Sequence, residues 1–199
     1  GNAATRHGML LPDDVPTPGA PATLRFVMDP GTNPHSQFVE IRLDFYAERH
    51  AWPLDSEIVF SDQGNGDRYL NYGWGGAEWW GRWSRGALSV LSFSLDQQPR
   101  GDLLVRAELA AAIFGDAPPV RADILVNGEV VAHFESGSRK AIDFEFRIPA
   151  ELVPPSGSID LGFGLENPRS PLQYDVSGDP RILGIGLETM TISDTGTTD

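Results

Sequence analysis

Between Asn71 and Gly86 the chain reads NYGWGGAEWWGRWSRG and holds Trp74, Trp79, Trp80 and Trp83, four of its five tryptophans. An indole offers a flat, electron-rich apolar face that suits the C–H side of a pyranose ring. Carboxylates and guanidinium groups beside it can bond the hydroxyls. On that chemistry Trp74, Trp80 and Trp83 are candidates to stack on or frame a sugar, with Glu78, Arg82, Asp179 and Arg181 as polar partners. A plainer role is equally open, in which the indoles cap one end of a β-sandwich and bond loop carbonyls. Trp79 and Trp80 are adjacent, so on a strand they face opposite ways and at most one belongs to a core.

Other chemistry is thinner. Asp62, Asn65 and Asp67 fall within SDQGNGD, and hard oxygen ligands at that spacing can hold Ca²⁺. The segment lacks the register and closing Glu of an EF-hand, and an ordinary polar turn explains it as well, so no cofactor is expected. The stretch NPRSPLQYDVSGDPR, residues 167–181, is long and irregular, and Arg169, Asp175, Asp179 and Arg181 can pair with one another or with hydroxyls. Long loops between strands often carry function.

The four histidines, His7, His35, His50 and His133, form no HExxH or HxH pattern. No GxSxG or GxxxxGK[ST] occurs, and GFG and GIG fall inside strands rather than opening helices. Glu78 with a loop aspartate is the one conceivable hydrolytic pair, and any acidic chain offers such pairs. The chain is therefore read as non-catalytic, with a carboxylate-based glycoside hydrolase as the alternative.

Composition narrows the partners. Against 28 acidic residues stand 15 basic ones, a formal net charge of -13. That balance repels a phosphate backbone and an anionic bilayer, which argues against nucleic acid and membrane-surface partners. Neutral glycans and cationic partners remain. There is no cysteine, so disulfides, thiolate nucleophiles and Cys-ligated zinc are excluded. No apolar run approaches the roughly 18 residues of a membrane span, so no membrane insertion is expected. No signal-peptide pattern opens at Gly1, and GNAATRHG reads as the start of an excised piece.

The elements that must position these residues are strands. With 22 glycines and 16 prolines, the chain is dense in turn formers. Residues 1–22 carry four prolines and little apolar periodicity, and they read as a flexible leader. Strands are expected over Thr23–Asp29, Gln37–Arg49, Ser56–Asp62, Ala87–Asp96, Leu103–Leu109, Arg121–Ser136, Ala141–Pro149, Ser158–Asn167 and Ile182–Ser193. Val39, Ile41, Leu43 and Phe45 alternate with mostly charged neighbours, which marks an antiparallel sheet with one wet face. DLLVRAELAAAIF tolerates a helix but lies between two strands and is read as one. Asn127-Gly128 between two β-rich arms predicts a type I′ hairpin. The expected fold is all-β, an antiparallel β-sandwich of jelly-roll type. It forms a single domain over residues 23–193, with a flexible tail at 194–199.

The chain also resembles a family. IVFSDQGNGDRYLNYGWGGAEWWGRWSRG, then LVNGEVVAHF, RIP and SPLQYDVSGDPRILGIGLETMTI, are similar to the carbohydrate-binding-like β-sandwich domain appended to bacterial membrane glycosyltransferases and phosphoglycerol-transferase-type envelope proteins. That pattern pairs Gly with Trp, sets an acidic residue before Trp-Gly-x-Trp-Ser, and later places Ser-Pro ahead of Asp-x-Arg-x-Leu-Gly-Ile. Here these are Gly73, Trp74, Glu78, Trp80, Gly81, Trp83, Ser84, Ser170, Pro171, Asp179, Arg181, Leu183, Gly184 and Ile185. The resemblance covers about Ile58 to Ile192, and Trp79 is an aromatic beyond its pattern. It implies a non-catalytic module that binds a glycan in surface polysaccharide synthesis or recognition. It also implies a periplasmic or extracellular setting, with a membrane glycosyltransferase or other envelope enzyme in cis. The competing expectation is a structural or protein-interaction domain that docks such an enzyme.

Overall fold

The structure is a computed structural model that describes residues 22–25, 40–43, 49–95 and 97–196. The chain divides into two compact units, Gly1–Glu48 and Arg49–Asp199. In the first, β1 (Ala22–Arg25) pairs antiparallel with β2 (Glu40–Leu43), Ala22 opposite Leu43 and Arg25 opposite Glu40. The leader expected before them lies outside the described residues up to position 21, as do the remaining parts of the first two expected strands, except Arg49.

The second unit contains β3 (His50–Trp52), β4 (Ile58–Val59), β5 (Leu70–Tyr72), β6 (Trp74–Ala77), β7 (Arg82–Arg85), β8 (Leu88–Leu95), β9 (Leu103–Ala111), β10 (Val120–Val126), β11 (Glu129–Ser136), β12 (Ile142–Ile148), β13 (Ser158–Leu165) and β14 (Leu183–Asp194). One six-stranded sheet runs β11-β10-β13-β8-β3, with β5 also on β8. The other runs β12-β9-β14-β7-β6, with β4 also on β14. Among the described residues every strand pairing is antiparallel except β3 with β8. From β8 onward each link crosses to the opposite sheet, save the β10–β11 hairpin. The antiparallel β-sandwich expected from the sequence is what the chain builds.

Alternation explains the layering. Along β9, Leu103, Val105, Ala107 and Leu109 are buried, while Arg106 and Glu108 face water. Along β8, Leu91, Phe93 and Leu95 point inward with Ser89. These faces close on Ile124, Phe134, Ile148, Ile159, Leu161, Phe163, Ile185, Leu187, Met190 and Ile192 in one apolar core. Each such side chain contributes roughly 1.5–3 kcal/mol on burial. The ambiguous Ala-rich segment is a strand because its odd positions fill this core. At the β10–β11 turn Asn127 and Gly128 have φ of 51° and 93°, the left-handed pair a I′ turn requires.

Two expectations need correction. The tryptophan stretch, which lies outside every expected strand, contains β6, β7 and the end of β5. These strands have only three or four residues, and β6 has two glycines, so they are too short for a sequence pattern and pairing defines them. The tail expected from position 194 is tied down through Gly196. Asp194 pairs with Leu103, Thr195 N–H donates to Asp102 O at 3.0 Å, and Gly196 N–H donates to the Asp194 carboxylate at 2.9 Å.

Candidate functional site

The tryptophan hairpin begins where the chain changes sheets. β5 pairs with β8 and β6 pairs with β7, so the step between them crosses the sandwich at Gly73. Gly73 has φ 76°, and a Cβ there would lie 2.0 Å from Leu88 O, so only glycine serves. Trp74 then sits opposite Ser84 and Ala77 opposite Arg82. Glu78 N–H donates to Gly81 O at 2.9 Å and closes the hairpin, which leaves Trp79 and Trp80 at its tip.

The four indoles do different things. Trp74 is half-buried, donates Nε1–H to Val90 O at 2.9 Å, and meets Phe163 edge-on at 5.6 Å. It anchors the hairpin to the core. Trp83 packs on Ala112, Phe114 and Leu183. Trp80 meets Trp83 at 5.0 Å with their planes 73° apart. Both lie over Gly186, where a Cβ would come within 2.5 Å of the Trp80 ring. Trp80 and Trp83 stand edge to face rather than coplanar, and Trp74 is engaged with Val90 and Phe163, so the three rings form no single flat platform. The free indole is Trp79, 82% exposed, with no hydrogen bond from its ring among the described residues. The sequence reading left Trp79 out of the site. No local signal singled it out, because Trp79 and Trp80 lie beyond β6 and β7, where strand alternation does not apply.

The polar groups gather behind this tip. The Glu78 carboxylate accepts from Trp80 Nε1 at 3.1 Å and from Arg181 Nη1 at 3.2 Å. Arg181 also holds Asp179, with Nη2 2.7 Å from Oδ2 and Nε 2.9 Å from the same oxygen. The guanidinium hydrogen bonds lower the Asp179 pKa, and that pairing raises Arg181. A carboxyl held ionised in this way accepts hydrogen bonds and is poorly suited to donate a proton. Glu78, Asp179 and Arg181 thus meet, although the loop and the hairpin are far apart in sequence.

Arg82 does not join them. It is 7% exposed, donates to Gly75 O at 2.9 Å and is ion-paired with Asp67. This corrects its expected role as a hydroxyl partner: its side chain ties β6 to the turn at Gly66–Tyr69. Asn65 is occupied too, accepting from Val59 N–H at 3.0 Å, and Asp62 is exposed. Among the described residues no three His, Asp or Glu side chains gather as a metal site.

The 167–181 loop contains a turn that the sequence reading passed over. Pro171–Tyr174 forms one 3₁₀ turn, capped reciprocally by Ser170 and Gln173. The S-x-x-Q spacing announces this capping box. Asp175 ends the turn in the left-handed region at φ 53°. Arg169 pairs with no loop aspartate. Its guanidinium turns inward to the carbonyls of Asn167, Pro118 and Pro119.

The chain matches no protein-family model and no curated protein. Among solved structures it is similar to a family 35 carbohydrate binding module from an environmental isolate, at 14% identity and TM-score 0.36 over 71% of this chain and 85% of that one. It is similar to a ruminal GH26 endo-β-1,4-mannanase at 14% identity and TM-score 0.37, over 76% of this chain and 28% of that one. A glycoside hydrolase family 43 arabinoxylan arabinofuranohydrolase from Bacillus subtilis, in complex with cellotetraose, gives 8% identity and TM-score 0.35 over 69% and 24%. The chain thus spans about a quarter of each hydrolase and most of the binding module.

Proposed function

We propose that the second unit is a non-catalytic carbohydrate-binding β-sandwich that grips a glycan at the tip of the β6–β7 hairpin. One observation carries the reading. Trp79 stands almost fully exposed next to Glu78, whose carboxylate belongs to a hydrogen-bonded group with Arg181 and Asp179. An exposed indole with no packing role stacks a sugar ring at little conformational cost, and the ionised group behind it bonds hydroxyls. The family resemblance supports a setting in bacterial surface polysaccharide synthesis or recognition, outside the cytoplasm and beside a membrane glycosyltransferase in cis.

Shallow sites of this type bind weakly, with Kd of about 10⁻⁵ to 10⁻³ M, or roughly 4–7 kcal/mol. Titration of a broad oligosaccharide panel, followed by tryptophan fluorescence, should give a saturable change in the native protein that Trp79→Ala removes. A silent panel sinks the reading.

A protein-docking role is the second reading, favoured by the exposed apolar residues Leu172 and Val176 in the 167–181 loop and Ile182 just after it. Replacing those three by serine would then abolish a complex with the envelope enzyme and leave glycan titrations unchanged.

A further inference from the structure

The 167–181 loop reaches the candidate site at its C-terminal end, where Arg181 meets Glu78. Its N-terminal end holds a charge that this site does not use. Arg169 is 3% exposed. Its Nε donates to Asn167 O at 3.1 Å, Nη1 donates to Pro118 O, and Nη2 donates to Pro119 O at 3.3 Å. A guanidinium carries five N–H donors and keeps its charge at every physiological pH. Among the described residues no carboxylate is in ion-pair contact with it: Asp179 is held by Arg181, and Asp175 is exposed. A buried cation is normally paired, and this one has only carbonyl dipoles around it.

Arg169 lines a depression of about 470 Å³ with Pro118, Asn167, Pro168, Gln173 and Tyr174. Tyr174 and Trp83 pack against the same small cluster of Ala112, Phe114 and Leu183. The depression and the tryptophan hairpin are therefore neighbours over one apolar patch.

We propose that this depression is a second ligand subsite, which takes the carboxylate of an acidic sugar against Arg169 while Tyr174 carries the ring face. The planar fork of a guanidinium matches a carboxylate in shape as well as charge, and two of its N–H groups are left after the three carbonyl bonds. The carboxylate supplies the missing countercharge, and a neutral sugar does not. The net charge of -13 does not forbid this. Charges farther than about 8 Å are largely screened at physiological salt, so the local contact decides.

This inference rests on the glycan-binding reading, and the experiment separates the two. Calorimetric titration of the full chain uses oligomers of galacturonate and of glucuronate, their methyl esters, and acetate. The acidic oligomers should bind at least about tenfold tighter than the esters, the gain expected from hydrogen bonds to a charged group. Tyr174→Ala should weaken the acidic oligomers and leave the Trp79 fluorescence response to neutral glycans unchanged. Arg169→Gln should erase the difference between acid and ester. Should that variant fail to fold by near-UV circular dichroism, the comparison in the native protein still decides. Equal binding of acid and ester overturns the second subsite alone. Acetate binding as tightly as the oligomers overturns the sugar as ligand. No binding of any carbohydrate overturns both readings.

Discussion

Arg181 and Glu78 meet at 3.2 Å although 103 positions separate them in the chain. The contact joins the end of the long loop to the tryptophan hairpin and fixes the Glu78 carboxylate under Trp80. Partly exposed ion pairs contribute at most about 1 kcal/mol to stability. Arg181→Ala should therefore lower the melting temperature only slightly and weaken glycan binding much more, which calorimetry and a melting curve measure together. A large loss of stability with unchanged binding would reverse the assignment.

The same group sets an acid limit. Hydrogen bonding to Arg181 lowers the Asp179 pKa, so its stabilising contribution is fully present above the ordinary aspartate value of about 3.9 and is lost only as pH falls through the depressed value. Glycan binding should persist from neutral pH to below about pH 4 and fail only as pH falls through the depressed Asp179 value. Fluorescence titrations at stepped pH give this directly; loss of binding near pH 6 would point to another group.

Trp74 and Trp79 should respond oppositely to truncation. Trp74→Ala removes an indole that is packed on the core and bonded to Val90, and should cost about 3 kcal/mol. Trp79→Ala should change stability by less than about 0.5 kcal/mol. Denaturant melts of the two variants separate an anchor from a ligand contact.

Gly186 is the floor under Trp80 and Trp83. Gly186→Ala drives a methyl group into the Trp80 ring and should cost about 1–3 kcal/mol by overpacking. The near-UV circular dichroism band of the edge-to-face pair should change at the same time.

Glu188 is the extra residue of a bulge between the Leu187 and Thr189 pairings. Burial pushes its carboxyl pKa up, and the Glu108 charge adds to this. The folded state therefore holds the proton more tightly than the unfolded state, and stability falls as pH rises from the ordinary glutamate value of about 4.3 through the raised one. Glu188→Gln should remove that loss, so its melting temperature should exceed that of the native protein at pH 7 and converge with it at pH 4. Parallel curves would assign the pH dependence elsewhere.

The sequence by itself determined the layers. Alternation in β8, β9, β12 and β13 fixes which face is buried, because a strand's side chains repeat every two residues. Asn127-Gly128 fixes a hairpin, because few other pairs accept two left-handed conformations. Ser170 and Gln173 fix a cap for the same local reason. The roles of the individual indoles were decided only in three dimensions. Trp74 became an anchor because Phe163 and Val90 O wait for it across the sandwich, and Trp80 was turned by Gly186 and Trp83. Arg82 was claimed by Asp67 and Gly75 O, while Arg181 found Glu78 and Arg169 found no carboxylate. Local pattern follows from backbone geometry and hydrophobicity. The pairing of a charge depends on which distant segment folding brings within a few ångströms, and no spacing along the chain encodes that.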